Sequence, residues 1–270
     1  MKRDHILGGS LAVIAGLMGI IGHFVLFMKW YQIGMNTPST EPGCEILLKT
    51  IHPLMAQLGI LGGVLFLVSA FGYFTRRNWA FILSVIALVL ALLGSWFINV
   101  PYMAAGLPPV YFLLFWPYLI MYFLFMVCIG KVSWSRTLLG LLTGVAYIFC
   151  WMNGVASTSR IITIGAPIFK LVQYPHWVAM IGWAAITVGI IMKPEEWMRV
   201  VGLASGLTEL AVGIPLTVAT AQQLGRFSLF ALGPIASLIL VVLLVWPDLW
   251  PRLTGAALDK AQVEPAPRLV

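Results

Sequence analysis

Residues 79–100 read WAFILSVIALVLALLGSWFINV, 22 consecutive positions without one charged side chain. A helix of that length rises about 30 Å, the thickness of a bilayer's hydrocarbon core. Seven further stretches share the character, at 6–28, 53–75, 109–130, 137–156, 176–193, 199–220 and 227–247. Lipid offers no partner to backbone N–H and C=O groups, so stretches of this kind cross it as helices. The expected fold is therefore an all-α polytopic membrane protein with eight transmembrane helices.

The composition agrees. Hydrophobic residues make up 61% of the 270 and charged residues 9%, with a mean hydropathy of +0.98. A water-soluble domain needs far more charge to cover its surface. The net charge of +7 comes from single basic residues in short connections, with no basic patch for nucleic acid. Their distribution gives an orientation. With the N-terminus inside, Lys2, Arg3, Arg76, Arg77, Lys131, Arg136, Lys193, Arg199, Arg252, Lys260 and Arg268 fall on the cytoplasmic side. Lys29, Lys49, Arg160, Lys170 and Arg226 fall outside. Eleven against five places both termini in the cytoplasm of a prokaryotic plasma (inner) membrane. No small-x-small cleavage site follows Met1–His5, so the first stretch reads as a retained helix. Three cysteines, Cys44, Cys128 and Cys150, make no disulfide framework.

The outer connections alternate: long near 29–52, short at 101–108, long near 157–175, short at 221–226. Helices 1–4 and 5–8 thus repeat one plan, each half a four-helix bundle. Trp79 and Trp197 open helices 3 and 7, Gly94 and Gly213 follow at similar spacing, and Pro117 and Pro234 recur in helices 4 and 8. The halves are 1–131 and 132–250, with 251–270 a disordered cytoplasmic tail rich in Pro and charge.

Few polar residues interrupt the spans. His52, in Ile51-His52-Pro53, and His176, in Val172-Gln173-Tyr174-Pro175-His176-Trp177, begin helices 2 and 6 at matching places. His23 also falls near the outer face. A histidine here serves as metal or heme ligand, proton relay or quinone contact, or it is an interfacial ring bonded to a loop carbonyl. Glu209 is the one carboxylate well inside a span. It must face the bundle interior, be protonated or pair with a neighbour, as a relay or as a structural hydrogen bond. Arg160, just outside the span that holds Asn153, either neutralises a carboxylate or propionate or reaches headgroups. Glu195-Glu196 reads as acidic charge at a helix start, and the many Trp and Tyr near span ends as aromatic belts. No phosphate-binding loop, H-E-x-x-H or nucleophile elbow occurs.

The pattern resembles the heme A synthase family, eight-helix proteins of two four-helix halves with long first and third outer loops. In that family a His opens helices 2 and 6, and another in helices 4 and 8 completes each heme site. Val172–Ala179 and His52 match the first pair. Ala91-Leu92-Leu93-Gly94 and Glu209-Leu210-Ala211-Val212-Gly213-Ile214 look like the family's Q-x-x-x-G stretch. The helix 4 position falls near Phe115 or Trp116 and the helix 8 position near Phe230–Gly233, without His. Lys49 stands for the family's Glu, Pro53 and Trp177 for the Arg after each His, and Cys44 for its cysteine pair.

The resemblance implies a scaffold without synthase activity, which leaves enzyme status open with no catalytic residue assigned. The expected role is a membrane subunit or accessory factor of a respiratory or electron-transfer complex, with other membrane subunits and the lipid bilayer as partners. Heme or quinone binds near the outer face through His52, His176 and Arg160, with His52 and His176 as heme-iron ligands. Two other readings are a proton-coupled secondary transporter using Glu209 and a purely structural scaffold.

Overall fold

The computed structural model of the chain describes residues 4–39, 41–192, 195–225, 227–246 and 249–254. Among these residues the chain is entirely helical, with no strand. Seven helices are long and apolar enough to cross a membrane: α1 (His5–Asn36), α2 (Cys44–Phe74), α3 (Ala80–Ala104), α4 (Phe112–Ile129), α5 (Trp134–Thr163), α6 (Pro167–Met192) and α7 (Glu196–Leu224). An eighth apolar helix, α8 (Leu229–Val245), is shorter. A one-and-a-half-turn helix, α9 (Leu249–Thr254), follows where the tail is expected to begin. The rest of that tail lies outside the described residues, as do Lys2, Arg3, Lys193, Pro194, Arg226, Lys260 and Arg268.

The long outer loops expected at 29–52 and 157–175 are mostly helix. The first connection shrinks to 37–43 and the second to 164–166. Polar residues there continue the spans rather than leave them. Proline does not stop α2, because a wide π turn at Leu47–Ile51 precedes Pro53. Proline deprives the Lys49 carbonyl of its helical N–H partner, and the Tyr31 hydroxyl donates to that carbonyl instead, at 3.3 Å. His52 and His176 therefore lie inside helices, not at their beginnings. Cys44 is not a loop thiol either: it is buried, and its Sγ donates to the Pro101 carbonyl at 3.2 Å.

Each helix packs on its chain neighbour. Helix α4 returns to α1 and α8 to α5, and contacts of α3 with α6 and of α5 with α2 and α4 join the two groups. Small residues let α1 and α2 touch backbone to backbone. A Cβ on Gly63 would sit 2.8 Å from the Gly16 carbonyl oxygen and the Ile20 nitrogen. Association in lipid depends on such close packing, since the hydrophobic effect does not distinguish a helix from an acyl chain. The outward faces carry Ile6, Phe24, Phe71, Leu113, Ile120, Val178 and Val200, all exposed. An apolar belt on that scale suits contact with lipid.

Two arginines secure the opposite end. Arg136 donates to the carbonyls of Ile190, Ile191 and Met192 at the end of α6. Arg199 donates to Leu244 at 2.7 Å and Val245 at 3.1 Å at the end of α8. Helix C-termini expose unpaired carbonyls and negative dipole charge, and a guanidinium answers both. The recurring sequence marks do different work in the two groups. Gly94 packs on the backbone of Met55 and Gly59, whereas Gly213 packs on the Pro234 ring and Glu209.

Candidate functional site

Helix α6 buries Phe169, Val172, His176, Ala179 and Trp183, and α7 buries Gly202, Ser205, Glu209, Gly213, Leu216 and Thr220. These three- and four-residue steps trace one face of each helix. His176 and Glu209 stand on the faces turned toward each other. The His176 Nδ1 lies 2.6 Å from Glu209 Oε2, with both side chains fully buried. On α5 the inward face carries Cys150, Asn153, Ser157 and Arg160. Asn153 Nδ2 donates to Glu209 Oε1 at 2.9 Å and to the Phe230 carbonyl at 3.2 Å. Cys150 lies beside the carboxylate, and Ser237 lies beside Cys150. Helices α5, α6 and α7 and the start of α8 thus converge on one carboxylate.

The chemistry of the pair follows from its protons. Burial away from water favours zero net charge. That state is met by imidazolium with carboxylate, or by neutral imidazole with carboxylic acid. In both, Nε2 of His176 carries a proton, and it has no hydrogen-bond partner. If that proton leaves, Nε2 offers a lone pair while Nδ1–H remains on the carboxylate. A carboxylate behind the ring is the usual support of a metal-ligating histidine. The site therefore presents either a donor to an acceptor ligand or a lone pair to a cation.

Arg160 occupies the next layer. It stands two turns from Asn153 along α5, and Phe169 stands two turns from His176 along α6. The guanidinium carbon lies 5.9 Å from the Phe169 ring centre and 5.3 Å from that of Phe230. It is 5% exposed, so it lies within the helix packing rather than on the outer surface, and its Nη1 has no partner.

His52, in the first group, is closed. His52 Nε2 is 2.7 Å from the Tyr111 hydroxyl and Nδ1 3.3 Å from that of Tyr102. Tyr102 donates to the Trp30 carbonyl at 2.7 Å, so it accepts from Nδ1. Asn99 holds the arrangement by accepting from the Tyr111 backbone N–H at 3.0 Å. To ligate a metal, His52 would have to surrender one of these bonds. His23 lies between them and the α1–α2 crossing, with Nδ1 on the Gly19 carbonyl at 2.9 Å and Nε2 unpartnered.

Of the expected site residues, the fold brings His176 and Glu209 into contact and sets Arg160 one layer away. His52 and His23 belong to the other helix group, with no contact to His176. Among the described residues no cluster of three or more His, Cys, Asp or Glu is arranged for a metal. Tyr102, Tyr111 and Asn99 escape a reading by residue type, since tyrosines near span ends look like belt residues. Their full burial is what separates them.

Fold and site together define an all-helical chain with seven helices fit to cross a membrane and a buried carboxylate–imidazole pair. Compared with known proteins, the chain matches no family model, no curated protein and no solved structure.

Proposed function

We propose that the protein is an integral membrane subunit or accessory factor of an electron-transfer complex, holding a heme at His176. In this reading α8 is the eighth span, α1–α4 and α5–α8 are repeated four-helix bundles, and both termini are cytoplasmic. A 17-residue α8 is at the short end of what spans a bilayer, for which about 17–25 residues suffice. The carrying observation is the fully buried His176 ring, with Nδ1 on Glu209 and Nε2 without a partner.

When bound, a heme supplies one-electron transfer. The chain's own residues supply the orientation. Glu209 holds Nδ1–H and so directs the Nε2 lone pair, Asn153 fixes Glu209, and the Phe230 carbonyl fixes Asn153. His176 would hold the iron rather than His52, whose nitrogens are both engaged. The absorption spectrum of the protein purified from membranes tests this directly. A Soret band that His176→Ala removes and His52→Ala retains is the expected result. Absence of heme by pyridine hemochrome assay overturns it, and co-purified quinone lost in His176→Ala would then assign the same nitrogen to a quinone carbonyl.

A second reading rests on the same pair. A carboxylate and an imidazole sharing a proton in an apolar interior suit proton-coupled transport, and Pro215 stands inside α7 beyond Glu209. Proton-driven uptake into proteoliposomes that Glu209→Gln abolishes, in protein without heme, would favour it.

A further inference from the structure

We propose that the cleft between the two helix groups, at the end where Arg160 lies, binds the oxyanion head of an anionic amphiphile. Its walls come from both groups: Leu47, Pro101 and Ala104 on one side, Met152, Ala156 and Arg160 on the other. The inference is independent of what His176 holds.

The guanidinium is the reason. Arginine stays charged at any physiological pH, and burying it without a counter-charge is costly. Arg160 is 95% buried by its 5% exposure, yet no side-chain hydrogen bond and no ion pair reaches it among the described residues. Glu41, Ser159 and Ser228 also line the cleft. The rings of Phe169 and Phe230 approach the guanidinium within cation–π range. Phenyl rings offer no hydrogen-bond acceptor, so the buried Nη1 donor remains to be satisfied. A guanidinium edge matches the paired oxygens of a carboxylate or phosphate. The remaining walls are largely apolar, and a fully hydrated ion would leave them wet. An occupant with an acidic head and a hydrocarbon portion satisfies both parts of the cleft. An anionic phospholipid and a free acid such as a fatty carboxylate share that chemistry.

The test uses full-length protein in a neutral detergent or in phosphatidylcholine nanodiscs. Three probes are added separately: phosphatidylglycerol, decanoate and inorganic phosphate. Bound molecules are counted by native mass spectrometry, and the unfolding temperature is followed. Phosphatidylglycerol or decanoate should bind and raise the unfolding temperature, and Arg160→Gln should weaken that binding by about tenfold or more, the loss of a charged hydrogen bond. Arg160→Lys should recover it in part, because the charge returns without the paired geometry. Ala104→Trp keeps Arg160 and fills the cleft; it should also abolish binding, which covers the case in which Arg160→Gln does not fold. Preference between the lipid and decanoate arms identifies the source. Binding of inorganic phosphate alone, no response to any probe, or a response unchanged in both Arg160→Gln and Ala104→Trp overturns the proposal.

Discussion

The imidazole of His176 and the carboxylate of Glu209 lie 2.6 Å apart, both fully buried, on helices α6 and α7. Neither is affordable alone in an apolar interior. Paired, each supplies the partner that the other's desolvation demands. Removing one should therefore cost more than the pair is worth. We expect Glu209→Ala to destabilise the protein by about 3–5 kcal/mol, since it strands His176 Nδ1 and one of the two N–H groups of Asn153 Nδ2. Glu209→Gln keeps a side chain that can hydrogen-bond and should cost about 1–2 kcal/mol. In a double-mutant cycle with His176→Ala the coupling should reach about 1–3 kcal/mol, read from unfolding in detergent. Additive losses would mean the two side chains do not meet.

His52 answers differently. Its ring is held by Tyr111 and Tyr102 hydroxyls, not by a carboxylate. Tyr111→Phe removes the donor to Nε2 and leaves a buried acceptor unmade, at about 1–3 kcal/mol. The same substitution should leave any Soret band of the protein unmoved, because it touches only the first helix group. A band that shifts in Tyr111→Phe would transfer the heme from His176 to His52.

How far the sequence reaches is clear from these two histidines. Their place near two long apolar segments is legible, because hydrophobic runs alone mark such helices. Their fates are not. Glu209 loses weight when read against the repeat, since residues 89–92 offer no carboxylate. Its partner is instead His176, on the preceding helix. That contact needs the relative rotation of α6 and α7, which no spacing within either helix supplies. The loops mislead for a related reason: polar residues near 29–52 and 157–175 read as departures from helix, although Tyr31 takes up the carbonyl that Pro53 leaves free. Arg136 and Arg199 read only as orientation charges. Their second role depends on where neighbouring helices end.

That second role is measurable. Arg136→Ala removes donors from three carbonyls at the end of α6, and Arg199→Ala from two at the end of α8. Each should lower stability by about 1–3 kcal/mol, the range for charged hydrogen bonds. Lysine keeps the orientation charge but only one point of donation, and should recover less than half. Hydrogen exchange would locate the effect: faster exchange should be confined to the last turns of α6 or α8 respectively. Uniform acceleration throughout the chain would contradict a capping role.

The crossing of α1 and α2 gives a test of packing that involves no charge. Gly59 lies against the His23 imidazole so closely that a Cβ there would overlap the ring. His23 has little room to withdraw, being fully buried with Tyr111 and Tyr118 rings 5.9 and 6.4 Å away. Gly59→Ala should therefore destabilise by about 1–3 kcal/mol, the usual range for overpacking. Truncating the ring makes the space that the methyl needs. His23→Ala alone leaves a cavity and also costs stability, but in His23→Ala/Gly59→Ala the two defects fill each other. The double variant should be more stable than the sum of the single losses by at least about 1 kcal/mol. Strict additivity would place Gly59 and His23 out of contact and leave the close crossing of α1 and α2 without this support.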